Sequence, residues 1–176
     1  MSIIKNLPKN QAFWLWGQFT ENSTKCLNIL KNVVQNKLSS PEFEAHITLA
    51  GPYKKIDKSL INSLNTFFIE RSSINLYLKN YEFQDYFYKS FYISVRESND
   101  LKKLRNEINV TYPFNLFDFY DPHISLAYGN HPIEKKYLLL SGIEKPMKSI
   151  RMNKVSIVDV REEELQWNIL ESFNLK

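Results

Sequence analysis

Apolar residues recur along this chain with two different periods, which predict helices and strands in alternation. Segments in which apolar side chains return every three or four residues are typical of helices with one buried face. Short runs rich in aromatic and β-branched residues indicate strands. Helices are predicted at 23–38, with Ser23 as N-cap, and at 58–69, 99–110 and 132–140. A first strand is predicted to begin at 13 and a second to span 42–51. The strands at 74–83 and 87–95 form a predicted hairpin that turns near 84–85. Three more are predicted at 123–129, 149–158 and 164–173.

The order of these elements divides the chain into two similar halves. The first half has strand, helix, strand, helix, strand, and the second repeats this order with one strand added. Such an arrangement predicts an α+β, bilobal fold with a pseudo-two-fold relation. Each lobe would carry an antiparallel sheet and flanking helices, with the active-site groove between the lobes. Because no linker or low-complexity stretch separates the halves, we expect one domain over 1–176 whose lobes share a sheet system.

Each half contains one copy of the same tetrad, His46-Ile47-Thr48-Leu49 and His123-Ile124-Ser125-Leu126. Alternate residues of a strand share a face. The histidine and the hydroxyl residue of each tetrad therefore lie together, and the aliphatic residues point into the core. A lone histidine on a strand is more often structural than catalytic, so neither tetrad alone would carry much weight. Their duplication in matching places predicts that the two histidines work together.

Two histidines and two hydroxyls facing one groove have the groups needed to open a phosphate ester. Histidine titrates near neutrality, so one imidazole of a pair can accept a proton while the other donates one. The hydroxyls of Thr48 and Ser125 can donate hydrogen bonds to the phosphate oxygens. We assign His123 as the base and His46 as the acid, with the reverse left open. The scheme needs no metal ion and no other cofactor.

Other candidate chemistry is weaker. Glu44 and Asp121 each lie two residues before a tetrad histidine and offer only a poor case for a metal site. Cys26, the single cysteine, lies in an amphipathic helix and is expected to be buried. His131 lies in a loop next to Pro132 and is expected to be exposed and without a role.

Composition and charge agree with an anionic substrate. The formal net charge is +4, which favours encounter with phosphates, but the lysines are scattered and form no stripe for duplex nucleic acid. No apolar stretch approaches the length of about 18 residues that a membrane span needs. We therefore expect a cytoplasmic monomer with no membrane partner.

The paired tetrads resemble the motifs of the two-histidine (2H) phosphoesterase superfamily, most closely its plant- and yeast-type cyclic phosphodiesterases. The resemblance runs over nearly the whole chain. It includes the first strand with Trp16, the segment 43–50, the aromatic segment 86–92, the segment 122–128 ending in Tyr128, and the strand near 150–155. Ala45 stands where relatives often have proline, and the cysteine pairs of some plant members are missing.

This resemblance implies hydrolysis of a nucleoside 2′,3′-cyclic phosphate or of ADP-ribose 1″,2″-cyclic phosphate. It also implies substrate contacts from Trp16, Tyr88 and Tyr128. Tyr128 faces away from the groove if its strand stays regular, and reaches the groove only if the strand ends or bulges before Gly129. Two alternatives remain open: a 2H enzyme acting on RNA ends or 2′,5′-linked oligonucleotides, and a nucleotide-binding module without catalysis.

Overall fold

Strands and helices follow one another in the predicted order. The computed structural model describes residues 13–113, 120–144, 146–160 and 167–176. Within these ranges the strands are β1 (Phe13–Phe19), β2 (Ile47–Tyr53), β3 (Ile74–Phe83), β4 (Phe91–Val95), β5 (His123–Ala127), β6 (Ser149–Asp159) and β7 (Asn168–Asn174). The α-helices are α1 (Glu21–Leu38), α2 (Lys58–Ile69), α3 (Asn99–Thr111) and α4 (Ile133–Gly142), and a 3₁₀ helix spans Phe87–Lys89.

All the described strands belong to one antiparallel sheet. Its order is β1-β2-β5-β4-β3-β6-β7, and β1 also pairs with β6, so six strands close on themselves and β7 lies outside on β6. The two halves of the chain therefore share a sheet, as the absence of a linker predicted. The pseudo-two-fold relation between two lobes stays a prediction.

The core lies between the sheet and the inner faces of the helices. α1 contributes Leu27, Val34 and Leu38, and α3 contributes Leu101, Leu104 and Ile108, all of which the apolar spacing of the two predicted helices places on the inner face. Complete burial of one such side chain stabilises the fold by about 1.5–3 kcal/mol. The sheet adds the four aliphatic residues of the tetrads, all fully buried as predicted: Ile47, Leu49, Ile124 and Leu126.

Three expectations for α1 are wrong. The helix begins at Glu21 after Thr20, so Ser23 is not the N-cap. Its hydroxyl instead accepts hydrogen bonds from the side chain of Thr20 and from the backbone of Arg151. Cys26 and Val33, which the apolar spacing of the predicted helix at 23–38 places on its buried face, are exposed. Each precedes a buried residue by one position, and a helix turns by about 100° per residue, which moves both off the buried face.

Several strand boundaries also differ from prediction, and β2 begins at Ile47, so that His46 lies just before this strand and not within it. The second arm of the hairpin begins at Phe91 because the 3₁₀ helix occupies its predicted start. β2 continues past Gly51 to Tyr53, because β1 remains paired with it as far as Phe13 opposite Tyr53. Gly51 has a φ of +124°, which favours glycine. The sequence also predicts a turn at 159–163 and an aromatic-rich loop at 111–122. Residues 161–166, which include most of that turn and the start of the last predicted strand, lie outside the described residues, as do residues 114–119 of the loop.

No helix in the described part of the chain combines the length and the hydropathy that crossing a membrane would require.

Candidate active site

The two tetrads lie side by side in the sheet. Ile47 of β2 is opposite Ile124 of β5 in an antiparallel pair. Continuing that register by one residue in each direction brings His46 next to Ser125 and Thr48 next to His123. All four side chains then lie on the sheet face opposite to the buried aliphatic residues. The electrostatic effect of His123 on His46 is in keeping with this proximity.

Both histidines have the same backbone anchor. Nδ1 of His46 donates to the carbonyl of Glu44 at 2.7 Å, and Nδ1 of His123 donates to the carbonyl of Asp121, also at 2.7 Å. A carbonyl oxygen only accepts, so each contact places the proton on Nδ1. In the neutral ring, Nε2 then keeps its lone pair and can accept a proton. In both rings the anchor thus leaves Nε2 as the nitrogen that can take up a proton.

His46 lies under aromatic rings. The indole of Trp16 stacks on its imidazole, with ring centroids 3.5 Å apart and an interplanar angle of 3°, and Trp167 lies edge-on at 6.3 Å. Only 8% of His46 is exposed. Burial lowers the pKa of His46 to about 3, and the nearby charges of His123 and Lys31 act in the same direction. His46 is therefore neutral at pH 7.

His123 has more polar neighbours. Tyr92 meets its ring at 5.3 Å, and Lys89 forms an ion pair with Asp121 beside it. Burial lowers the pKa of His123, and Lys89 lowers it further, but the carboxylates of Asp121 and Glu82 raise it. The surroundings of His123 thus include negative charges that favour its protonated form.

Buried lysines hold the segments that lead into the two histidines. Lys31, on the inner face of α1, donates to the carbonyl of Phe43, and Gln35 on the same face donates to the carbonyl of Pro41. Lys89 of the 3₁₀ helix reaches Asp121 and lies 4.5 Å from the centre of the Tyr92 ring. These contacts fix the backbone whose carbonyls accept from Nδ1.

Arg105 and Tyr120 support β2 behind the site. Nε of Arg105 donates to the carbonyl of Leu49 at 2.8 Å, and the Tyr120 hydroxyl donates to the carbonyl of Thr48 at 2.9 Å. The guanidinium lies over the Tyr120 ring, 3.5 Å from its centre. Thr48 itself is half-buried, on the same face as His46.

Tyr128 lies just beyond the end of β5 at Ala127, and its ring packs near Trp167. Ser40, just after α1, accepts from the backbone N–H of Tyr128 at 2.9 Å and donates to its carbonyl at 3.0 Å. The ring of Tyr128 then stacks on Phe43 at 3.8 Å and lies 5.8 Å from Trp167. The strand thus ends before Gly129, which is the condition under which the sequence allows Tyr128 to reach the groove, and a substrate contact from Tyr128 stays a prediction.

Tyr88 and Ser125 are joined to Tyr128. The Ser125 hydroxyl donates to the carbonyl of Tyr88 at 3.1 Å and is hydrogen-bonded to the Tyr128 hydroxyl. The Tyr88 ring lies 5.6 Å from that of Tyr128 and 6.1 Å from Trp167. Trp167 is thus surrounded by the three residues that the resemblance implied as substrate contacts, Trp16, Tyr88 and Tyr128. To donate to a phosphate, Ser125 must turn away from the Tyr88 carbonyl.

The acidic residues before the histidines have protein partners. Gln18 donates to Oε1 of Glu44 at 2.7 Å, and Asp121 is paired with Lys89. Among the described residues, no group of three histidine, cysteine or acidic side chains is placed to hold a metal ion. His131 is half-buried rather than exposed, and its Nε2 donates to the carbonyl of Tyr128 at 3.0 Å. The sequence analysis therefore missed a supporting contact of His131.

Sequence reasoning also missed Lys31, Gln35 and Lys89, and gave Trp167 no place in the site. Lys31 had a detectable signal, because it falls between Leu27 and Val34 on the apolar face of α1, where a lysine needs a partner. Lys89 and Trp167 had no comparable signal, since their positions depend on how distant strands pair.

Comparison with solved structures reveals the same architecture in several proteins. LigT of E. coli complexed with 3′-AMP superposes with a TM-score of 0.59 and 12% identity, covering 95% of this chain and 99% of LigT. The fold is that of LigT. A structure named phosphoesterase has a TM-score of 0.65 at 13% identity, with 94% of this chain and 99% of that chain covered. TT0787 of Thermus thermophilus has a TM-score of 0.60 at 14% identity, with 93% and 97% covered.

LigT, the structure named phosphoesterase and TT0787 thus share the fold of this chain. No protein-family model matches the sequence, and no curated protein matches it. At 12–14% identity the likeness to LigT and TT0787 is one of fold. Which reaction this chain performs must be argued from its own tetrads.

Proposed function

We propose that this protein is a cyclic phosphodiesterase that hydrolyses a 2′,3′-cyclic nucleotide or ADP-ribose 1″,2″-cyclic phosphate by paired-histidine acid–base catalysis. The observation that carries the proposal is the common anchor of the two imidazoles, each with Nδ1 bound to the carbonyl two residues earlier, next to strands that pair at Ile47 and Ile124. A structural histidine needs one satisfied contact. Two histidines anchored alike, each beside a hydroxyl residue, provide two Nε2 atoms for one substrate.

In the proposed reaction, one Nε2 removes a proton from water as the water oxygen forms a bond to phosphorus. The bond from phosphorus to the 3′-oxygen breaks, and the other imidazole gives that oxygen a proton. The product is the 2′-phosphate. Thr48 and Ser125 hold the non-bridging oxygens, where hydrogen bonds strengthen as charge develops. The mechanism requires no metal ion.

The surroundings of the two rings favour His46 as the base and His123 as the acid, the reverse of the assignment made from sequence. Burial under Trp16 keeps His46 neutral over most of the pH range. Burial lowers the pKa of His123 as well, but Asp121 and Glu82 oppose that effect. A bound phosphate anion would further favour a proton on His123.

LigT provides a precedent for a nucleotide in this fold, since one of its structures contains 3′-AMP. The same likeness keeps the alternative of RNA ends or 2′,5′-linked oligonucleotides open. A long substrate needs a basic track and a steep dependence of binding on salt. We propose the small cyclic phosphate as substrate because the lysines of the sequence are scattered and form no such track. We propose further that the enzyme is a cytoplasmic monomer.

The test is to incubate the protein, with excess EDTA, with the four nucleoside 2′,3′-cyclic phosphates and ADP-ribose 1″,2″-cyclic phosphate, and to separate the products by chromatography. We expect conversion of at least one substrate to its 2′-phosphate or equivalent. Replacement of either tetrad histidine by alanine should lower the rate by roughly a hundredfold to ten-thousandfold. Near-normal turnover in His46→Ala would refute the mechanism, and binding without turnover would favour a nucleotide-binding module.

A further inference from the structure

A cleft of about 240 Å³ opens beside His46. Its wall is shared with the catalytic group, because Trp16 stacks on the imidazole and also lines the cleft. Trp167 on the other side lies 6.3 Å from the same imidazole. A flat group in this cleft would therefore adjoin the phosphate site. The lining residues are Trp16, Phe43, Glu44, Trp167, Asn168 and Ile169.

The lining combines aromatic rings with one carboxylate and one amide. Rings of this kind can stack on a nucleobase and do not distinguish one base from another. Glu44 carries negative charge and repels a phosphate, so the phosphate belongs between the histidines and not in the cleft. A carboxylate favours a ligand that presents N–H groups.

The Glu44 carboxylate is held in place by a buried hydrogen-bond chain. Gln18, only 3% exposed, donates from Nε2 to Oε1 of Glu44 at 2.7 Å. The amide oxygen of Gln18 accepts from the fully buried Ser156, whose hydroxyl also meets that of Ser172 at 2.7 Å. Since Ser156 occupies the amide oxygen, the N–H groups of Gln18 must face Glu44. The carboxylate is thus a preorganised acceptor at the edge of the cleft.

We propose, on the basis of the function proposed above, that this cleft binds the base of the substrate and selects guanine through Glu44. Guanine alone of the four bases presents two adjacent donors, N1–H and the 2-amino group, which match the two oxygens of a carboxylate. Adenine and cytosine each pair an amino group with an acceptor nitrogen, and the single N–H of uracil lies between two carbonyls. Asn168 adds amide N–H groups suited to O6 of guanine.

The experiment measures binding of the four nucleoside 2′-monophosphates by calorimetry, and kcat/KM for the four 2′,3′-cyclic phosphates. The wild-type protein should favour the guanosine ligand over the others by roughly tenfold to a hundredfold, the range for hydrogen bonds to a charged group. Glu44→Gln should remove that preference. Glu42→Gln is the matched control, since Glu42 is exposed, lies two residues away and also acts on Lys31. It should retain the preference.

The outcomes separate this inference from the proposed function. Equal binding and turnover of all four bases, or a guanine preference that survives in Glu44→Gln, would overturn the inference and leave the phosphodiesterase intact. A guanine preference in binding that depends on Glu44, with no turnover of any cyclic phosphate, would support the cleft and refute the enzyme. Preference in both measurements, lost in Glu44→Gln only, supports both.

Discussion

The two tetrads have the same sequence pattern and the same backbone anchor, but their surroundings differ. His46 has an indole stacked on its face and the lysine of α1 nearby, whereas His123 has a tyrosine edge and two carboxylates. Burial lowers the pKa of both rings, and among the described residues the carboxylates that oppose that effect, Asp121 and Glu82, act on His123 and not on His46. Similar motifs can thus be given different proton affinities by neighbours that come from elsewhere in the chain.

This difference provides a division of labour that the tetrads alone do not contain. Proton transfer in both directions needs one ring that stays neutral and one that takes up a proton when substrate binds. In the unliganded protein the ring under Trp16 meets the first need, and the ring beside Asp121 is closer to the second. This difference can be tested by replacing each histidine, and then the residues around each histidine, one at a time.

The largest effect is expected from removing the histidines themselves. His46→Ala and His123→Ala should each lower turnover by roughly a hundredfold to ten-thousandfold, and each should remove a different limb of the pH profile of kcat/KM. A variant without the general base should no longer lose activity as pH is lowered. A variant without the general acid should no longer lose activity as pH is raised. We therefore expect His46→Ala to lose the acid limb and His123→Ala the alkaline limb. The wild-type optimum should lie below the ordinary histidine pKa of 6.5.

The double variant provides the control for this experiment. Two groups that act as a unit have non-additive effects, so removing both should cost little more than removing one. Circular dichroism of each variant checks that the fold is retained. Loss of the same limb in both single variants would contradict the division of labour.

The next effect concerns the aromatic cover of His46. Trp16→Leu should admit water to the imidazole, raise the pKa of His46 from about 3 toward the ordinary value of 6.5, and lower the free energy of unfolding by about 3 kcal/mol through the lost packing. NMR titration of the histidine Cε1–H signals and urea unfolding measure the two changes.

Tyr92→Leu is the matched change on the other side. Tyr92 is buried against His123, so its loss should raise the pKa of His123 and leave that of His46 in place. If Trp16→Leu moved both histidine signals equally, the two surroundings would not be separate.

The sequence predicted the order of elements and the pairing of the tetrads, because both depend on local periods and on a repeated motif. It could not predict which neighbours each histidine acquires. Trp16 reaches His46 because β1 pairs with β2, where Trp16 lies opposite Thr48. Lys89 reaches Asp121 because three residues of the expected strand form a 3₁₀ helix. Both contacts join residues that are far apart in the chain, and a one-dimensional pattern does not encode such pairs.

A third prediction follows from the low pKa of His46 in the folded protein. Below pH 6.5 the unfolded chain takes up a proton at this position, while the folded chain does not until about pH 3. The unfolded state therefore binds more protons, and the free energy of unfolding falls as pH falls, by about 1.4 kcal/mol per pH unit from this group. His123, whose folded pKa is also lowered, adds to the loss.

Urea unfolding at about pH 7, 6 and 5, the range over which a free histidine takes up its proton, measures this slope. His46→Asn keeps an N–H donor for the Glu44 carbonyl but does not titrate, so it serves as the comparison. As pH is lowered, the free energy of unfolding of His46→Asn should fall less steeply than that of the wild-type protein. The two slopes should differ by about 1.4 kcal/mol per pH unit in the lower part of the range. Parallel slopes in the two proteins would show that His46 titrates normally in the folded state.

The smallest effects, and the sharpest test of the comparison, come from the two buried lysines. In addition to burial, Lys31 lowers the pKa of His46 and Lys89 lowers that of His123, so replacement of either lysine by methionine should raise the pKa of its own histidine. Lys31→Met should move the acid limb of kcat/KM to higher pH. Lys89→Met should move the alkaline limb to higher pH, and this shift should be larger than that in Lys31→Met. The reason is that Asp121, which raises the pKa of His123, loses its ion-pair partner in Lys89→Met.

The arginine variants separate charge from support. Lys31→Arg and Lys89→Arg keep the positive charge, so the limbs should stay in place even if the larger side chain lowers kcat or stability. A purely structural lysine would change the rate or the stability in the methionine variant without moving either limb. The opposite outcome is that each methionine variant moves one limb and that the two variants move different limbs. In that case the lysine and the aromatic rings beside each histidine determine which tetrad acts as acid and which as base. The acid and the base would then be distinguished by residues outside the tetrads.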